Sequence, residues 1–133
     1  GGRIIYGGKH EGAFFEPTII TDIPKTADVA KDDEIFAPVV SIIPCDSMEE
    51  AIEIANSSSY GLGSCVFTRD MKKAFYVASN MQAGGAVING ASFHRSFEIP
   101  FGGYKNSGIG TEGVMSTFDQ VTKLKTITLK NIF

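Results

Sequence analysis

The chain has 133 residues, 43% of them hydrophobic, and a formal net charge of −3. That length suits one domain with a real hydrophobic core, and that charge gives no reason to expect nucleic acid or an anionic membrane as a partner. No apolar run approaches the roughly 20 residues that span a bilayer, and the opening GGRIIYGG has neither a starting Met nor a basic segment leading into an apolar one.

A cytoplasmic protein is therefore expected, and one processed or excised from something longer. Cys45 and Cys65 stand in the apolar runs VVSIIPC and GSCVFT, and both are expected to be reduced and buried. Neither clusters with His10 or His94, so no metal site is expected.

RIIYGG at 3–8 and FFEPTIITDI at 14–23 read as two short strands, with Gly12 in the turn between them. PVVSIIPCD at 38–46 is a continuous β-branched run, the signature of a strand buried on both faces. Ser47 and Glu50 then form a capping box, because each side chain can satisfy the other's orphan backbone N–H. Ala51, Ile52 and Ala55 follow at helical spacing until Gly61. LGSCVFT at 62–68 is a second buried strand. Asp70 caps a second helix with Met71, Ala74, Phe75, Ala78 and Met81 on one face. GAVIN at 85–89 is a third strand. This order predicts an α/β fold, a parallel-type β-α-β-α-β sheet covered by helices.

Residues 90–113 form a long glycine-rich loop, a length that points to function. Its apolar residues Phe93, Phe97, Ile99, Pro100 and Phe101 argue against disorder. A short helix around 113–119 and a final strand at 120–129 complete the pattern. Gly108, Gly110 and Gly113 have the spacing of a dinucleotide-binding loop. That loop needs a strand before the first glycine and an acid about 20 residues on. GGYKNS precedes Gly108 and TLKNIF ends the chain, so the context fails and a glycine-rich turn entering a short helix is the reading.

PFGGYKNSGIG (100–110), DEIFAPVV (33–40), FFEPTIITDI (14–23) and YGLGSCVFTRD (60–70) together resemble the C-terminal part of the NAD(P)-dependent aldehyde dehydrogenases. The resemblance runs in order along essentially the whole chain. It departs at Ala37, where the family usually has Gly, and at Thr111, where Arg is common. Ala37 predicts an ordinary backbone conformation or slight strain. The resemblance implies a partial catalytic domain over 1–119 and an oligomerisation strand and tail over 120–133. It implies NAD or NADP as cofactor, an aldehyde substrate and a homodimer or homotetramer.

It also implies that the nucleophilic Cys, the general-base Glu and the oxyanion-hole Asn lie before the matched region, so this chain holds no catalytic residue. Cys65 is not the nucleophile on this reading. Glu34 matches a carboxylate that accepts hydrogen bonds from the nicotinamide ribose hydroxyls, a task for an acceptor-only group. By residue type alone it reads as a solvated strand entry. Phe36 matches an aromatic beside the nicotinamide, and Phe101 one that lines the aldehyde pocket, though by residue type alone an aromatic before GG reads equally as plain core. The loop 91–99 matches a segment that varies with substrate class. Here it carries His94 and Arg95, which suit an anionic aldehyde if they face the pocket and a surface salt bridge or a solvated cation if they do not. The rival reading is an inactive structural or oligomerising fragment.

Overall fold

A computed structural model describes residues 1–131. Nine strands and three helices follow one another: β1 Arg3–Tyr6, β2 His10–Glu11, β3 Phe14–Phe15, β4 Thr18–Thr21, β5 Val39–Ser41, α1 Met48–Asn56, β6 Tyr60–Gly61, β7 Gly63–Val66, α2 Met71–Asn80, β8 Gly85–Ile88, β9 Tyr104–Lys105 and α3 Val114–Val121. They form a mixed α/β arrangement of small sheets. β1 runs antiparallel to β4 and β4 parallel to β5. β2 and β3 make a two-residue-stranded hairpin around Gly12. β7 and β8 pair in parallel with α2 as their crossover, and β6 pairs with β9.

The expected single β-α-β-α-β sheet is thus divided. β5 pairs with β4 along one edge, and its other edge has no strand partner among the described residues. Thr18 N donates to Pro38 O at 2.8 Å and Ile42 N to Ile20 O at 2.8 Å. Pro44 then removes the next donor and ends the run.

The helices follow their local signals. Ser47 Oγ accepts from Glu50 N at 3.1 Å. The reciprocal arm of the box shifts by one residue: Glu50 Oε2 accepts from Asp46 N at 2.6 Å, and Lys25 pairs with the other carboxylate oxygen. Asp70 Oδ1 accepts from Lys72 N and Lys73 N, so it caps α2.

Three expectations are corrected by burial and pairing. The buried hydrophobic core among the described residues is Ile23 and Ala74, not that of a self-sufficient domain. A compact monomer of this mass exposes about 6,800 Å², whereas this chain exposes 10644 Å², a surplus of about 3,800 Å². Both cysteines are free but exposed. Among the described residues β7 pairs only with β8 and is covered by α2, so Ser64 is buried while its neighbour Cys65 faces away from that cover. The final strand is absent too. α3 continues to Val121, and residues 122–131 have no regular structure. An extended segment becomes a strand only when a neighbour takes its backbone hydrogen bonds, and none of the described residues does. The end of the predicted tail, residues 132–133, lies outside the described residues.

Candidate functional site

The segment 31–36 carries Glu34 without regular structure. A 3₁₀ turn at Asp28–Ala30 starts it, with Lys31, Asp32 and Asp33 N–H groups all donating to Asp28 O. Asp32 then reaches across the chain. Its Oδ1 accepts from Ser59 N at 2.7 Å and Ser58 Oγ at 2.9 Å. The Ser59 N–H, and next the Ser58 hydroxyl, hold the Asp32 carboxyl below its ordinary range. Glu34 lines a cleft of about 660 Å³ together with Asp33, Asn56, Gly63 and Gln82. Phe36 does not line that cleft and is 92% exposed. Ala37 takes no left-handed conformation, in accord with the ordinary backbone anticipated from its side chain.

A second cleft, also about 660 Å³ and more apolar, is lined by Phe93, His94, Arg95, Ile99 and Phe101 over the β7–β8 pair. The chain therefore brings His94, Arg95 and Phe101 into one place. Leu62 and Gly63 line both clefts, so the two adjoin at the start of β7. The Arg95 guanidinium carbon lies 3.8 Å from the Phe101 ring centroid, a cation–π stack. No carboxylate pairs with Arg95 among the described residues. The stack leaves the guanidinium edge, with its planar set of N–H donors, available to an anion.

The glycines after Phe101 build this wall by close approach. A Cβ at Gly84 would fall 2.6 Å from the Gly102 carbonyl carbon, and one at Gly102 would fall 2.7 Å from Gly110 O. Three backbones thus layer where no side chain fits. Gly110, at φ +79°, and Gly113, at φ +133°, turn the chain back into α3. The dinucleotide-like spacing is this turn, as its context required. Phe101 and Glu112 bridge its ends, N to O at 2.9 and 2.7 Å.

Three residues outside the sequence-derived set hold the site. Asn89, at φ +54°, accepts from Thr68 N and donates to Thr68 O, fixing the exit of β8. Lys105 Nζ donates to Asn56 O at 2.7 Å and Ser58 O at 2.8 Å. Asp32 was legible only as one acid in a run of three, and Asn89 only as a residue tolerant of the left-handed region.

The aldehyde dehydrogenase family model matches residues 1–127. The lactaldehyde dehydrogenase of Methanococcus aeolicus is 46% identical over 128 residues, which cover 96% of this chain and 27% of that protein. Among solved structures, the glyceraldehyde-3-phosphate dehydrogenase GapN of Methanocaldococcus jannaschii, complexed with NADP, superposes with a TM-score of 0.84 at 43% identity. The match covers 96% of this chain and 27% of GapN. Aldehyde dehydrogenase 21 of Physcomitrella patens, in complex with its product succinate, gives a TM-score of 0.80 at 43% identity, covering 90% of this chain and 24% of that one. The chain spans about a quarter of the length of these relatives. By the family match along nearly its whole length, this chain belongs to the aldehyde dehydrogenase family.

Proposed function

We propose that this chain is the C-terminal part of the catalytic domain of an NAD(P)+-dependent aldehyde dehydrogenase. It supplies the walls that position cofactor and aldehyde, while the nucleophilic Cys comes from elsewhere in the enzyme. The observation that carries this reading is the pair of adjoining clefts. One presents the acceptor-only carboxylate of Glu34 and the other an aromatic and cationic wall of Phe101, Arg95 and His94.

The donor set fits the nicotinamide ribose. Two hydroxyl donors call for an acceptor that needs no proton of its own, and Glu34 is such a group on an open cleft wall. The relatives crystallised with NADP or NAD+ support the same cofactor class. When bound, NAD(P)+ supplies the hydride acceptor for oxidation of an aldehyde to an acid. The work of this chain is orientation: Glu34 fixes the ribose, Phe36 offers an exposed aromatic surface beside it, and Phe101 limits where the aldehyde lies. Arg95 offers a fork to a carboxylate, sulfonate or phosphate on the substrate. Relatives named for 3-sulfolactaldehyde and glyceraldehyde-3-phosphate accord with an anionic aldehyde. The segment 122–131 serves as a strand for a neighbouring subunit, since its backbone is unpaired and Leu124, Ile127 and Leu129 are exposed.

Steady-state kinetics of Glu34→Gln in the complete enzyme test the reading. The substitution keeps size and removes charge, weakening charge-assisted hydrogen bonds by about 1–2 kcal/mol, or about 5- to 30-fold in kcat/KM for NAD(P)+. Unchanged dependence on NAD(P)+ would remove the assignment. Aldehyde-dependent NAD(P)H formation by the 133-residue chain alone would overturn the division of labour.

A further inference from the structure

We propose that Asp32 is a positioning residue that clamps the Glu34 segment to the turn at 56–61 and, through that turn, to the segment following Phe101, so that both clefts share one fixed geometry. The proposal rests on the roles given above to Glu34 and Phe101.

Among the described residues, the hydrogen bonds that tie residues 31–36 to a distant part of the chain are those of Asp32 with Ser58 and Ser59. Glu34 is two residues further on, and two residues of chain reach at most about 7 Å. The place of Glu34 on its cleft is therefore set by the Asp32 anchor. Ser58 Oγ also accepts from Tyr60 N at 3.1 Å, so the anchor shapes the turn itself.

The same turn is gripped from its other side. Lys105 Nζ donates to Asn56 O and Ser58 O, Asn106 N donates to Ser59 O at 3.0 Å, and Gly61 N donates to Ser107 Oγ at 2.8 Å. β6 and β9 pair there as well. Lys105 lies only four residues beyond Phe101 and takes φ +54°, a conformation a lysine adopts when its surroundings demand it. Ser58 and Ser59 thus accept or donate to both arms, with Asp32 on the cofactor side and Lys105 and Asn106 on the substrate side.

A double-mutant cycle in the complete enzyme tests the clamp. Asp32→Asn keeps the shape and replaces a carboxylate with a weaker, neutral acceptor. Because small misplacements of a positioned group are costly, it should raise the KM for NAD(P)+ about tenfold. If Asp32 acts through Glu34, adding Asp32→Asn to Glu34→Gln should cost little more than Glu34→Gln alone. Ser58→Ala, which removes a single hydroxyl, should shift KM in the same direction by less, and it carries the same cycle if Asp32→Asn fails to fold. An Asp32→Asn enzyme with unchanged KM for NAD(P)+, beside a Glu34→Gln enzyme that is impaired, would overturn the clamp and leave the Glu34 assignment standing. Full additivity of the two substitutions would also overturn it, as the mark of a merely structural role. No change in either single variant would overturn both the clamp and the assignment beneath it.

Discussion

Gly84→Ala probes the layered glycines most directly. The new Cβ would sit 2.6 Å from the Gly102 carbonyl carbon and 3.2 Å from Gly103 Cα, closest of all to Gly102 O. Ordinary contact begins at 3.4 Å, so the carbonyl carbon must retreat by about 0.8 Å and its oxygen by more. The strand cannot give way instead. Gly84 N donates to Gly61 O at 3.0 Å and Gly85 N to Leu62 O at 3.1 Å, and β8 is held along its length by β7. Gly102 is itself closely packed, since a Cβ there would lie 2.7 Å from Gly110 O. The displacement passes to Phe101, whose backbone is bonded to Glu112 on the same turn. Overpacking between backbones of this kind costs about 3 kcal/mol or more.

In the complete enzyme, Gly84→Ala should lower the melting temperature and reduce kcat/KM for the aldehyde. A shift of about 1 Å in a positioned group costs up to about 100-fold. Thermal denaturation and initial rates at varied aldehyde concentration measure both effects. Gly85→Ala, whose Cβ meets nothing within 4 Å, separates the clash from the loss of a glycine and should melt much closer to wild type. A Gly84→Ala enzyme with wild-type melting temperature and wild-type aldehyde kinetics would refute the argument that these backbones must touch.

Arg95→Ala should reduce kcat/KM for aldehydes bearing a carboxylate, sulfonate or phosphate by about 10- to 100-fold, as expected for a charged hydrogen bond, and neutral aldehydes much less. Equal losses in both classes would leave Arg95 as a partner of the Phe101 ring alone. The Glu50 carboxyl is held below its ordinary 4.5, first by Lys25 and then by the Asp46 N–H. Its contribution to α1 is therefore present above that ordinary value and is lost as pH falls through the lowered folded one. Amide exchange in α1 should accelerate in acid, and Glu50→Gln should already show fast exchange at neutral pH and a flatter response below it. Deleting residues 122–133 from the complete enzyme should convert its oligomer to a smaller species by light scattering; an unchanged mass would reject the docking role.

Local signals were legible in the sequence and long-range ones were not. Ser47 and Asp70 could be assigned as caps because a cap acts within its own first turn. The partner of β5 could not, since pairing with β4 is a choice among distant strands of similar composition. The role of the KDDE run depended on which carboxylate meets Ser58, 26 residues away. Gly108, Gly110 and Gly113 carried a familiar spacing, but the same letters serve a phosphate loop and a turn that packs against Gly102. The preceding polar residues decided between them.

Burial is where pattern and structure part most clearly, and the reason is physical. An apolar stripe states that a face is covered without stating by which segment. On α2 the stripe Met71, Ala74, Phe75, Ala78 and Met81 divides: Ala74 is completely buried, while Met71 and Phe75 remain exposed. Ala78 and Met81 are half-buried, so the four-residue strands β7 and β8 bury one residue of the stripe fully. Cys65, Val40 and Phe67 are exposed as well. Reading β5 and β7 as strands buried on both faces assumes a second layer, and α2 is a layer on one side of β7 alone. The surplus of about 3,800 Å² lies on this chain alone, more than the roughly 1,000–2,500 Å² that each partner gives to a large permanent interface. A sequence that spans about a quarter of its relatives' length thus carries a hydrophobic pattern wider than its own described fold covers, and residues of that pattern stand in water.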